Sequence, residues 1–139
     1  MIPKDDEFET PIQLYRDLCK KYKMFPQIDA AANENNTLCK KYLKDGLEED
    51  WTEDVWCNPP HSITGLFVEK AYQQWRRQNI NIMMFIPANT VSSKFWHKCI
   101  ENHVEYYAQP QGRIKFNKNK IPTKFQARNA YMVVIWRKR

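Results

Sequence analysis

The chain has 139 residues, a formal net charge of +6 and a 42% hydrophobic fraction that includes five Trp. That length supports one domain with one core, and the composition excludes a disordered polyelectrolyte. No apolar run approaches the ~18 residues of a membrane helix, and the polar start Met1–Glu7 is unlike a signal peptide.

Four scattered cysteines without a CxxC pair argue for reduced thiols in a cytoplasm and against a metal site. The charge is uneven. Residues 1–90 hold 11 Lys+Arg against 14 Asp+Glu, whereas residues 91–139 hold 11 against 2. A basic C-terminal third suits a polyanion such as nucleic acid, although a solvated basic face has the same composition.

Residues 1–9 read as a loose acidic lead-in. A helix is then expected, with Thr10 as N-cap, Pro11 at the first helical position and Gln13 completing a capping box. Ile12, Tyr15, Leu18, Cys19 and Tyr22 share its apolar face, and Lys20, Lys21 and Lys23 suit its C-terminus. Phe25–Asp29 reads as a first strand that Pro26 keeps short or starts at Gln27. Thr37–Leu43 can hold a second strand, and Lys44–Leu47 a turn.

Glu53–Cys57 reads as a short strand, and Asn58-Pro59-Pro60 must leave it, because two prolines fix φ and remove two N–H donors. Pro59 also pushes Asn58 toward an extended conformation. The result is a stiff loop at the carboxyl end of a strand, the edge where α/β sheets bind ligands. Proline carbonyls and the Asn58 side-chain oxygen are acceptors, and two converging acceptors suit a planar amino group. A flat ring at His61 can stack on a heterocycle carrying that amine. A plain Pro-Pro turn after a strand fits the same residues without any ligand.

Ser62 or Thr64 can cap a helix reaching about Arg77, with Leu66, Phe67, Ala71, Tyr72 and Trp75 on its apolar stripe. Asn81–Ile86 is a nearly unbroken apolar run, as in a strand buried on both faces, and Pro87–Thr90 closes it. Ser92 or Ser93 caps a further helix with Phe95, Trp96, Cys99 and Ile100. Val104–Tyr107 is a strand, 108–129 is loop-rich and basic, and Ala130–Trp136 is the final strand. Strands alternating with helices argue for an α/β sheet wrapped by helices on both faces, and the last two strands, with no helix between them, can pair antiparallel.

Asn58-Pro59-Pro60-His61 resembles the Asn/Asp-Pro-Pro-aromatic motif of amino-group methyltransferases. More of the chain is similar to one branch, the phage-type (Dam-like) DNA N6-adenine methyltransferases. The matching pieces are Thr10-Pro11, Asp29-Ala30-Ala31-Ala32 with Asn36, Asp45-Gly46-Leu47, Asp50-Trp51, Val55 to Pro60, Lys70-Ala71, Pro87-Ala88 and Gly112 to Phe116. They fall in the family's order over most of the chain. One departure is His61, where the family usually has Tyr or another aromatic.

The resemblance implies a Rossmann-like class I methyltransferase fold: a mostly parallel sheet of five to seven strands with an antiparallel C-terminal strand. It also implies S-adenosylmethionine as cofactor. Thr10, Pro11, Asp29, Ala30, Ala31, Asp50, Trp51 and Asn58 are the expected cofactor residues. Asp29 suits an ammonium or a ribose hydroxyl, alanines stand where most methyltransferases have glycines, and Asp50 suits the cofactor's adenine amine with Trp51 packed beside it. Alanines opening a packed helix and a core Trp with a capping Asp are the plainer readings.

Asn58, Pro59, Pro60 and His61 are the expected catalytic residues, acting on a flipped-out adenine by direct transfer. Arg113, Lys115, Lys118, Lys120, Lys124 and Arg128 are the expected DNA contacts. The reading is of one minimal domain over residues 1–139, with no separate target-recognition domain. Either 108–129 reads DNA, or sequence choice is low, or a homodimer or helper subunit supplies it. An amino-group methyltransferase acting on RNA or on protein glutamine, and an inactive binding module of the same fold, stay open alternatives.

Overall fold

The computed structural model describes residues 10–87, 94–101, 103–109, 115–118, 121–126 and 131–139. The chain runs α1 (Ile12–Tyr22), β1 (Ile28–Asp29), β2 (Lys41–Tyr42), β3 (Val55–Cys57), a 3-10 turn (His61–Ile63), α2 (Thr64–Gln78) and β4 (Ile82–Pro87). A π-helical turn (Trp96–Ile100), β5 (Glu105–Gln109), β6 (Lys115–Lys118), β7 (Ile121–Gln126) and β8 (Tyr131–Trp136) follow. Six strands form one sheet in the order β2-β1-β3-β4-β8-β5. β1 pairs in parallel with β2 and β3, and β3 with β4; β8 is antiparallel to both neighbours, β4 and β5. The expected mostly parallel sheet with an antiparallel C-terminal strand is what forms.

The sheet separates two cores because strand side chains alternate between faces. Ile82, Met84 and Ile86 of β4 and Met132, Val134 and Trp136 of β8 pack with Phe67, Val68, Ala71 and Trp75 of α2. Met83, Phe85, Tyr131, Val133 and Ile135 point the other way, against Leu18 and Tyr22 of α1. With both faces covered, β4 and β8 read as unbroken apolar runs. Ile12 departs from the expected apolar face of α1 and is exposed. Asp54 fixes the strand starts: its carboxylate accepts from Asn81 N at 3.0 Å and Asn81 Nδ2 at 3.1 Å.

Several expectations need correcting. Helix α1 begins one residue later than its capping signal, with Pro11 at the N-cap (φ −57°, ψ 135°) and no side-chain cap bond. Gln13 bonds Asp17 rather than closing a capping box. The second strand shrinks to Lys41–Tyr42, because the preceding residues are drawn elsewhere. Asn33 Oδ1 accepts from Asn35 N and Asn36 N, and Asp29 Oδ2 accepts from Leu38 N. The 108–129 stretch is not only loop: β6 and β7 pair antiparallel as a separate two-stranded ribbon. The 1–9 lead-in, Ala88–Thr90, the Ser92 and Ser93 caps and Ala130 lie outside the described residues.

Candidate active site

β3 is three residues long and fully buried, and it delivers Asn58 to the carboxyl edge of the sheet. The two prolines end the strand, and Pro59 and Pro60 are themselves buried. The Pro60 carbonyl accepts from Ile63 N at 3.1 Å, opening the 3-10 turn, and from Thr64 Oγ1 at 3.3 Å. Thr64, expected as a cap for α2, instead ties the helix start back to the loop through Pro60 and His61 carbonyls. Pro60 therefore serves the loop's shape.

Asn58 is half-buried. Its Nδ2 donates to Thr10 Oγ1 at 2.8 Å, across 48 residues of sequence. Thr10 is buried, so the residue expected to cap α1 spends its hydroxyl on the Asn-Pro-Pro loop. Thr10, Asp29, Ala31, Asn36, Trp56 and Asn58 line one narrow cleft of about 30 Å³ on the α1 side of the sheet. Ala30, on the other side of β1, lines a second cleft of about 20 Å³ with Lys44, Asp45, Gly46, Ile63 and Phe67. At Gly46 the chain approaches so closely that a Cβ would lie 1.9 Å from the Ala30 carbonyl oxygen. Only glycine permits that approach.

Asp29 is the ionisable group of the first cleft, 3% exposed. Its Oδ1 accepts from Ala31 N at 3.3 Å and its Oδ2 from Leu38 N at 3.0 Å. Burial pushes its carboxyl up to about 7, against the opposing pull of the Leu38 and Ala31 amides. Among the described residues it has no salt-bridge partner. Burial also pushes the neighbouring Cys39 thiol up to about 12 and the Cys57 thiol well above its ordinary value.

His61 is exposed, and its Nε2 meets the Tyr131 hydroxyl of β8. The two rings lie 5.6 Å apart at 46°. Tyr131 stacks on Phe85 (4.9 Å), Phe85 on Trp56 (6.2 Å), and Tyr15 of α1 meets Trp56 edge-on (5.0 Å). An aromatic row therefore runs from the Asn-Pro-Pro loop to the first helix. Tyr131, Asn36 and Leu38 are site neighbours not expected as site residues. No local pattern marks Tyr131, which is 70 positions from its partner.

Asp50 and Trp51 are not brought to this cleft. Asp50 sits 3.8 Å from Arg77 and accepts from Gln74 Nε2, at the C-terminal end of α2, whereas the Asn58 loop leads into its N-terminus. Trp51 is fully buried, its Nε1 donating to the Gly46 carbonyl at 2.8 Å and its backbone N to Gln74 Oε1. The indole is core. Lys115, Lys118 and Lys124 fall on the β6–β7 ribbon, whereas Arg113, Lys120 and Arg128 lie outside the described residues. A depression of about 730 Å³ lies along α2, lined by Lys70, Tyr72, Arg76, Arg77 and Lys98, and includes no residue of the Asn-Pro-Pro loop.

A mostly parallel sheet, covered on both faces, with an Asn-Pro-Pro loop and a buried carboxyl at one carboxyl edge, defines a Rossmann-like methyltransferase fold. Residues 2–139 match the model of the family described as DNA N-6-adenine-methyltransferase (Dam), and the chain belongs to that family. Such a family implies a methyl donor. The chain is 34% identical to the DNA N-6-adenine-methyltransferase of Escherichia phage T1 over 95 residues, 65% of this chain and 39% of that protein. It is 27% identical to the DNA N-6-adenine-methyltransferase of Haemophilus phage HP1 over 118 residues, 82% of this chain and 68% of that protein. The chain thus spans well under half the length of the phage T1 relative.

Proposed function

We propose that this chain transfers a methyl group from S-adenosylmethionine to the N6 amino group of adenine in DNA. The observation that carries the reading is that Asn58, at the carboxyl end of β3, shares a cleft with the buried carboxyl of Asp29. Family membership and both phage relatives support it.

The residues fit the cofactor. Asp29 is a buried acid without a cationic partner among the described residues, and the ammonium or a ribose hydroxyl of the cofactor would satisfy it. Ala30 and Ala31, one on each side of β1, let a ligand approach the backbone. Pro11 follows the cleft-lining Thr10 as the N-cap of α1. Both clefts are narrow, about 20 and 30 Å³, and the residues lining them would hold parts of the cofactor. Once bound, it supplies an electrophilic methyl group.

The protein's part is positioning. Asn58 Oδ1 and the Pro59 carbonyl accept the two amino hydrogens, drawing electron density onto the nitrogen and aiming its lone pair. Pro60 keeps the loop rigid, and His61 offers an exposed ring for the adenine to stack on. The target must be flipped from its duplex, because its amine is otherwise paired. No covalent enzyme intermediate is required, and catalysis rests on orientation. The basic stretch with Arg113, Lys115, Lys118, Lys120, Lys124 and Arg128 grips DNA. Its core is a two-stranded ribbon, a shape that the major groove admits.

The test is chemical. The purified chain is incubated with isotope-labelled cofactor and unmethylated duplex DNA, with RNA and protein in parallel, and each polymer is digested. Labelled N6-methyladenine from DNA alone is expected. Label on RNA or on glutamine, or on none of the three, would sink the reading.

A further inference from the structure

We infer that Thr10 is the positioning residue of the catalytic asparagine: it holds the Asn58 amide by its nitrogen end and so presents Oδ1 to the substrate amine. The inference rests on the proposed methyl transfer and goes beyond it, because it separates Thr10 from the cofactor contacts with which the motif order groups it.

A carboxamide has one donor end and one acceptor end of nearly equal size. Only the acceptor end is useful here, since an N–H turned toward the amino group would repel it. Asn58 Nδ2 lies 2.8 Å from Thr10 Oγ1, so its donor end is occupied on the α1 side and the oxygen faces away. Thr10 is 5% exposed, which keeps water from competing for that bond. The residue is itself held firmly. Pro11 fixes the chain at φ −57° and ψ 135°, the helix ladder starts at once with Tyr15 N on Pro11 O, and Tyr15 packs edge-on against Trp56 two residues before Asn58.

The local sequence points the same way by its failure. Thr before Pro and an apolar period is a capping signal, yet the helix has no side-chain cap bond. Local rules broken without local compensation are found at functional sites. The hydroxyl that would satisfy the helix start instead reaches 48 residues along the chain to the motif.

The experiment compares wild type with Thr10→Val, which keeps the branched shape, and Thr10→Ser, which keeps the hydroxyl. Methyl transfer to DNA, cofactor affinity by calorimetry, thermal unfolding and the Asn58 side-chain amide signals in nitrogen-edited NMR are measured on each. The amide signals are assigned by their loss in Asn58→Ala. Thr10→Val should lower kcat on the order of 10²-fold, leave cofactor Kd within about two-fold, and shift the Asn58 amide signals; Thr10→Ser should restore all three toward wild type. A Thr10→Val protein with unchanged kcat and amide signals would overturn the inference. So would a loss of cofactor affinity as large as the loss of rate, which would make Thr10 a cofactor contact. If wild type makes no N6-methyladenine, the proposed function fails by itself. The amide signals then still judge the bond: unchanged signals in Thr10→Val would refute the holding role in any chemistry.

Discussion

Replacing Asp29 with Asn tests the electrostatics of the cleft by a difference in which most other effects cancel. The wild-type carboxyl titrates near 7 when folded against 3.8 as the ordinary value. The sign follows from proton counting. Between those values the folded state holds a proton that the unfolded state has lost, so stability falls as pH rises. The favourable contribution is complete below about 3.8 and is lost as pH passes through about 7. At about 1.4 kcal/mol per pH unit, a gap of roughly three units amounts to about 4 kcal/mol.

Asp29→Asn has no such titration. It also loses one of the two acceptors that serve Ala31 and Leu38, a roughly constant cost of about 1–3 kcal/mol. The stability of Asp29→Asn relative to wild type should therefore climb by about 4 kcal/mol between pH 4 and pH 8, whatever its starting offset. Urea unfolding of both proteins across that range measures it. A flat difference, or one falling with pH, would refute the argument that burial dominates the two amide bonds. The same carboxyl links to the ligand. A cation seated on Asp29 favours its ionised form, so cofactor binding near pH 6 should release protons in wild type and not in Asp29→Asn, as read by calorimetry in buffers of different ionisation heat.

Asn58→Ala should lower kcat by ~10²–10³ in a chain that still folds, with stability reduced by about 1–3 kcal/mol for the lost bond to buried Thr10; near-normal turnover in a folded variant would remove Asn58 from the chemistry. Gly46→Ala should destabilise the chain by about 1–3 kcal/mol in urea unfolding, because its methyl would lie 1.9 Å from the Ala30 carbonyl oxygen and the backbone must move. Exchanging Lys118, Lys120 and Lys124 together for Gln should flatten the log–log salt dependence of duplex DNA binding by up to about three, with each phosphate contact worth about 0.9 of slope. Identical slopes would put the DNA surface elsewhere.

What the sequence disclosed, and what it hid, divides by the range of the interactions. β4, β8 and α2 were legible because burial on both sheet faces writes unbroken apolar runs, and burial on one helix face writes a stripe. The Asn-Pro-Pro loop was legible because two prolines forbid anything but an exit from the strand. The second strand was misjudged in length because Asp29 captures the Leu38 amide, a bond that no local propensity records. The placement of Trp51 and Asp50 away from the Asn58 cleft is hidden for a related reason: an acid and an indole before a strand suit a ligand or a core equally, and their bonds to Gly46 and Gln74 leave no local pattern. The Tyr131 contact to His61 has no local trace at all. Thr10 is the instructive case, because its local signal was strong and its local role was not taken. A threonine before a proline was read as the start of a helix, whereas tertiary structure uses the hydroxyl to orient an amide brought in by β3. A capping residue that does not cap thus marks where the chain has given up a local bond for a distant one, and such a residue is a better guide to the site than any further periodicity in the helix behind it.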